Sequence, residues 1–104
     1  KYDNFQPNVV TITPAGNVVA DMSSPYSQLQ MSTNTTITPG NLEAGKVSIL
    51  ALDRNAAGYA PIFASTVKWG EDTEPTWADY RYWTISMVCW SGTVVRAVAA
   101  GYNS

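Results

Sequence analysis

Carboxylates gather at one place in this chain: Glu71, Asp72, Glu74 and Asp79, in a segment that starts after Trp69 and contains Trp77. Several oxygen ligands from one flexible loop are what Ca²⁺ takes, and a pair of carboxyls is what glycoside hydrolysis needs. The spacing is not that of an EF-hand loop, and nothing around these residues indicates the burial that raises a carboxyl pKa into the working range of a general acid. The segment therefore reads as a solvated loop face, and no metal, cofactor or catalytic residue is assigned to it. There is no histidine anywhere, which removes the commonest general base, the commonest transition-metal ligand and the usual partner of a Ser or Cys nucleophile. The single cysteine, Cys89, lies in an alternating apolar stretch and reads as a small buried hydrophobe. With no paired nucleophile and no phosphate-cradling Gly loop, the chain is not expected to be an enzyme.

The aromatic residues offer a different chemistry. All four tryptophans and two of the six tyrosines fall between positions 69 and 90. A ring face is apolar while its N–H or O–H still reaches a polar partner, so Trp69, Trp77, Tyr80, Tyr82, Trp83 and Trp90 could form a sugar-stacking or protein-docking platform. In 104 residues some of them must be core. Trp69 and Trp83 are expected to be structural; Trp77, Tyr82 and Trp90, with Glu71, Asp72 and Glu74 on the acidic loop, are the expected interface or ligand residues.

These side chains must be positioned by strands. Val/Ile/Thr-rich or alternating segments recur at Asn8 to Thr13, Asn17 to Met22, Tyr26 to Met31, Asn34 to Thr38, Lys46 to Asp53, Tyr59 to Ser65 and Thr66 to Trp69. Pro, Gly, Ser and Asn clusters at 14–17, 23–25 and 39–41 separate the first of them. Lys46 to Asp53 is almost continuously apolar, as in a strand covered on both faces; Gly45 and the Val47/Ile49 pair argue against a helix there. From Tyr80 to Trp90 the odd positions Trp83, Ile85, Met87 and Cys89 share one face, expected to be the core. A two-residue Ser91-Gly92 turn would pair Trp90 with Thr93 and set Ile85 beside Val98. Strands at this spacing without a convincing helix predict an all-β fold, an antiparallel jelly-roll-like β-sandwich in one domain over 1–104, with 1–7 as a lead-in segment. No internal repeat of solenoid type is visible.

Composition narrows the partners. With 45% hydrophobic and 13% charged residues, the chain is ordinary globular material able to bury a single core. A net charge of −2 with no cluster of Lys or Arg disfavours nucleic acid, and no run reaches the roughly 18 apolar residues of a membrane-spanning helix. The match of Asn34-Thr35-Thr36 to a glycosylation acceptor reads as chance plus strand propensity.

One order of motifs carries a resemblance. Thr36-Ile37-Thr38 runs into Pro39-Gly40-Asn41-Leu42 and Ala44-Gly45-Lys46, and an apolar strand follows. Val67-Lys68-Trp69 and Thr73-x-Pro75-Thr76 come next, then the alternating strand, a Gly turn and the terminal Gly101-Tyr102. From about Asn17 to the end, this resembles a small β-sandwich domain of tailed-bacteriophage virion proteins, of the type found at the C-terminal end of tail fibres and other appendages. Such proteins carry a Pro-Gly-Gly-like turn after the tryptophan. Here Trp69 is followed by Gly70-Glu71-Asp72, so no ligand is carried over through that loop.

The resemblance implies a non-enzymatic structural module on the outer surface of the virion. Its expected partners are further copies of itself, as a homo-oligomer with a trimer favoured, other virion proteins in a fibre shaft or capsid, and a host surface glycan. A chain that opens on Lys1 and not Met suits a domain taken from a longer appendage. If these residues are nearly the whole product, a capsid decoration protein bridging capsomers is the alternative. A carbohydrate-binding module is the third reading, favoured by aromatic content alone.

Overall fold

Short β-branched or alternating segments, each too short to hide an apolar face alone, fold here into two sheets that share one core. The computed structural model describes residues 9–103, so the lead-in segment 1–7 lies outside the described residues. Nine strands are present among them: β1 (Val9–Thr11), β2 (Asn17–Asp21), β3 (Tyr26–Gln30), β4 (Thr35–Gly40), β5 (Val47–Asp53), β6 (Pro61–Phe63), β7 (Val67–Trp69), β8 (Tyr82–Cys89) and β9 (Val95–Tyr102). Two 3-10 turns, Gly70–Asp72 and Trp77–Asp79, lie between β7 and β8. The larger sheet has the order β1-β3-β5-β8-β9-β7 and the smaller β2-β4-β6.

The all-β sandwich is as expected, but its strands do not run as expected. Pairings β1–β3, β3–β5, β2–β4, β4–β6 and β7–β9 are parallel; only β5–β8 and β8–β9 are antiparallel. From β1 to β6 the chain alternates between the sheets, so each strand lies beside the one two steps earlier and points the same way. The antiparallel jelly-roll is corrected to a parallel two-sheet coil closed by the β8–β9 hairpin. The Pro/Gly/Ser clusters at 14–17 and 23–25 are corners that carry the chain from one sheet to the other, not hairpin turns. Composition marks such a corner without saying which sheet receives the next strand. The coil has turns of unequal length, so it leaves no period in the sequence.

The core is filled by the inward positions of both sheets. Leu29, Leu50, Leu52, Trp83, Ile85, Met87, Cys89, Val95 and Ala97 come from the larger sheet, and Val18, Ala20 and Ile37 from the smaller. Met22 and Met31 close the ends of β2 and β3, where an unbranched side chain suits an irregular gap. Pro39 sits in β4 opposite Ala20, but β6 reaches only as far as Ile37 on the other side, so the missing N–H falls where no neighbour asks for it.

Two further expectations change. Cys89 pairs with Val95 and Ile85 with Ala99, one residue on from the register that a two-residue turn gives. The loop is longer: Trp90 and Ser91 N–H both donate to Val94 O, at 2.9 and 3.3 Å. A one-residue slip exchanges the two faces of a strand. Val95 and Ala97 therefore go inward, while Val98, which the shorter turn would have set beside the core residue Ile85, is 65% exposed. The apolar β5 is also not covered on both sides, since Val47 (56%) and Ile49 (37%) face outward.

Candidate functional site

The outward face of the larger sheet is where the fold places chemistry that the core does not consume. Its rows follow from the registers. Val47 stands opposite Val88, which stands opposite Arg96; Tyr26, Ile49, Ser86 and Val98 form the next row. Farther along come Gln28, Ala51, Thr84 and Ala100, and finally Gln30, Asp53, Tyr82 and Tyr102. The face thus grades from apolar at the Val47 end to polar at the Asp53 end. Val9, Val47, Ile49, Val88 and Val98 are all exposed on it, and Trp90 (64% exposed) joins them through Arg96, whose guanidinium carbon lies 4.8 Å from the ring centre. A cation over an indole contributes about 0.5–1 kcal/mol at an exposed site.

Each end of the face holds a concavity. At the apolar end a cavity of about 490 Å³ has Val88 and Val98 among its lining and the charged side chains Lys68, Arg96, Glu71 and Asp72 beside them. Apolar residues ringed by charge have the anatomy of a protein–protein contact. At the polar end a cavity of about 350 Å³ is lined by Gln28, Gln30, Ala51, Asp53, Tyr82 and Thr84, with backbone neighbours beneath. Asp53 accepts a 2.9 Å ion-pair hydrogen bond from Arg81 Nε and a 2.8 Å bond from the Asn55 N–H. Partial burial pulls the Asp53 carboxyl up, but these bonds and the Arg81 charge outweigh it and hold it below its ordinary value; the same pairing raises Arg81.

Beneath the β7–β8 loop lies an aromatic cluster. Trp77 packs at 5.4 Å on Phe63, 5.4 Å on Trp69 and 4.9 Å on Trp83, and Tyr80 meets Trp83 edge-on at 5.5 Å. Trp77 is only 9% exposed, and its Nε1 donates to Glu74 Oε2 at 2.8 Å. Trp77 is therefore corrected from interface residue to the hub of the core at this end. Its place in a loop of 3-10 turns, outside any alternating strand, is why alternation could not assign its side. Glu74 stays exposed and accepts the part-buried indole N–H from the surface. Trp83 is buried and Trp69 half-buried in the same cluster, as expected of structural residues.

Glu71 and Asp72 stand on the rim of the apolar-end cavity, in backbone that L residues avoid: φ is 57° and 55°. Left-handed backbone costs a non-glycine residue about 1–2 kcal/mol. Tyr82 and Trp90 lie on the outward side, Tyr82 half-buried on the polar row and Trp90 exposed at the apolar end. The structure does not gather Trp77, Tyr82 and Trp90 into one platform; it distributes them between core, polar groove and apolar patch.

Comparison with protein-family models, curated proteins and solved structures gave no match for this chain.

Several residues that shape this region carry no signal in the sequence. Gln28, Gln30 and Asp53 are ordinary polar residues at alternate positions of β3 and β5, and only the registers bring them beside Tyr82. Arg54, placed in a loop, is 6% exposed and donates from Nε to Tyr59 O at 2.7 Å, from Nη1 to Tyr80 O at 2.7 Å and from Nη2 to Gly58 O at 2.9 Å. It ties the 55–59 loop to the aromatic loop behind the polar groove. Among the described residues, no three His, Cys, Asp or Glu side chains converge as metal ligands would.

Proposed function

We propose that this domain is a non-enzymatic structural module of a tailed-phage virion, an appendage-tip domain that assembles with copies of itself and takes part in host attachment. The observation that carries the reading is the uncovered apolar end of the larger sheet: Val47, Ile49, Val88, Val98 and Trp90 on one side of the molecule, with charge around them. A contiguous exposed apolar area rimmed by polar groups is the mark of a surface that meets another protein. The assembly is a homo-oligomer, three-fold in keeping with the resemblance, and its place is the outer surface of the particle.

The test is the double variant Ile49→Lys, Val98→Lys studied by sedimentation velocity and far-UV circular dichroism. Both side chains point away from the core, so the variant keeps its β-sheet spectrum. The reading predicts that it sediments as a monomer while the unaltered chain sediments as an oligomer. An oligomer that survives both lysines places assembly elsewhere and overturns the assignment of this face.

A further inference from the structure

We infer that the polar groove at the Asp53 end of the larger sheet is a binding site for a neutral pyranose sugar, the contact through which the attachment role proposed above would operate. The inference rests on that role but uses the opposite end of the sheet from the assembly patch. Ala51 carries a single methyl between the longer Gln28 on β3 and Thr84 on β8, so the face dips at its centre. Gln30, Asp53 and Tyr82 stand in the adjoining row along the same depression. A cavity of about 350 Å³ falls at the lower end of the size range for small-ligand sites, about 300–1,000 Å³.

The groups match what a sugar ring presents. A pyranose has an apolar C–H face and an equatorial belt of hydroxyls that both donate and accept. Arg81, which does not line the groove, lies over one face of the Tyr82 ring at 4.8 Å, so the face turned away from Arg81 is the one a sugar C–H face can cover. The two glutamine amides each offer a donor and an acceptor to vicinal hydroxyls. Asp53 Oδ2 accepts only a long 3.4 Å bond from Arg81 and so keeps capacity for a hydroxyl. Charge selects the class: among the described residues Asp53 is the one charged side chain lining the groove, and Arg81 neutralises it at 2.9 Å, which leaves nothing to favour an anion or a cation. Hydrogen bonds from Arg81 and Asn55 fix the carboxylate, so binding needs no reorganisation there.

The experiment is a protein-observed NMR titration of the ¹⁵N-labelled chain with the methyl pyranosides of glucose, galactose and mannose, with N-acetylglucosamine, and with lactose and maltose. Binding with Kd on the order of 1 mM is expected for at least one of them. Shifts should concentrate on the Gln28 and Gln30 side-chain amides and on the backbone amides of Ala51 and Thr84. Gln30→Ala, an exposed change, should weaken binding at least tenfold, and Ala51→Leu should fill the groove and abolish the shifts while the rest of the spectrum stays dispersed. If Ala51→Leu disturbs the fold, Tyr82→Leu serves in its place and should also lose binding. The inference is overturned if no sugar moves these amides, or if the shifts survive both Gln30→Ala and Tyr82→Leu. Molar mass measured on the same samples separates the two proposals: an oligomer without sugar shifts removes the groove and leaves the assembly reading, whereas shifts on a monomer leave a sugar-binding domain and remove it.

Discussion

Gly101 of β9 stands opposite Trp83 of β8, and the ring of Tyr80 occupies the space that a side chain at 101 would take. Tyr80 in turn meets Trp83 edge-on, and its carbonyl accepts from both Trp83 Nε1 at 3.0 Å and Arg54 Nη1 at 2.7 Å. A methyl at 101 would push Tyr80 off this arrangement. Gly101→Ala should destabilise by about 1–3 kcal/mol, the usual range for forcing an extra group into a packed site. Urea unfolding checks it, and a stability equal to that of the parent would mean that Tyr80 has room to move.

The aromatic cluster turns on Trp77, which touches Phe63, Trp69 and Trp83. Trp77→Ala should cost about 3–5 kcal/mol, and the remaining fluorescence should red-shift at a lower urea concentration than in the parent, as Trp69 and Trp83 become exposed. Glu74→Gln keeps an acceptor for the indole N–H and should cost well under half as much. A Trp77→Ala protein as stable as its parent would return this residue to the surface.

Arg54 is a buried cation held by three backbone carbonyls and, among the described residues, by no carboxylate. Arg54→Met fills similar space but leaves the Gly58 and Tyr59 carbonyls without this donor, while Tyr80 O keeps Trp83 Nε1 at 3.0 Å. Gly58 is exposed and its carbonyl can turn to water, so at about 1–3 kcal/mol for a buried polar group left unsatisfied a loss of about 1–3 kcal/mol is expected, chiefly from Tyr59 O. Faster amide exchange in 55–59 should accompany it. A smaller loss confined to global stability, with that loop unchanged, would contradict the clamp.

Asp53 gives the fold a defined acid response. Its folded pKa lies below the unfolded value, so between the two values the unfolded chain binds the extra proton and stability rises with pH. The contribution is fully present above about pH 4, the ordinary carboxylate value, and is lost as pH falls through the folded pKa. Because Arg81 is more than a third exposed, solvent screening keeps the contribution of this pair small. Thermal melts from pH 6 to pH 2 should show a shallower acid decline for Asp53→Asn than for the parent, and parallel curves would mean that the pairing does not persist in solution.

Much of the fold was legible because strand signals are local. The alternation of Trp83, Ile85, Met87 and Cys89 marks the buried face of β8, and the β-branched runs mark β2, β4 and β5 within a residue or two. Strand direction was not legible, because a Pro/Gly corner looks alike whether it leads back alongside the same strand or across to the other sheet. Register failed at one turn, where Ser91-Gly92 reads as a two-residue loop while the backbone closes on Val94, and that single step moved Val98 from core to surface. The apolar outward face was hidden for a related reason: Val47 and Ile49 look like doubly covered core in a run with Leu50 and Leu52. The polar groove lay beyond reach altogether, since Gln28, Ala51 and Tyr82 are brought together only by two registers of opposite sense. Of the aromatic residues, Trp83 and Trp90 could be sided from alternation, whereas Trp77 could not.

The central claim is that the apolar end of the larger sheet is a surface between copies of this chain. The most direct measurement is the molar mass of the unaltered protein by light scattering behind size exclusion, across a range of loading concentrations. The account predicts a stable species at three times the chain's 11.3 kDa. A single species at 11.3 kDa at every concentration would contradict it and would turn attention to a different protein, such as a capsid shell, as the cover for that face.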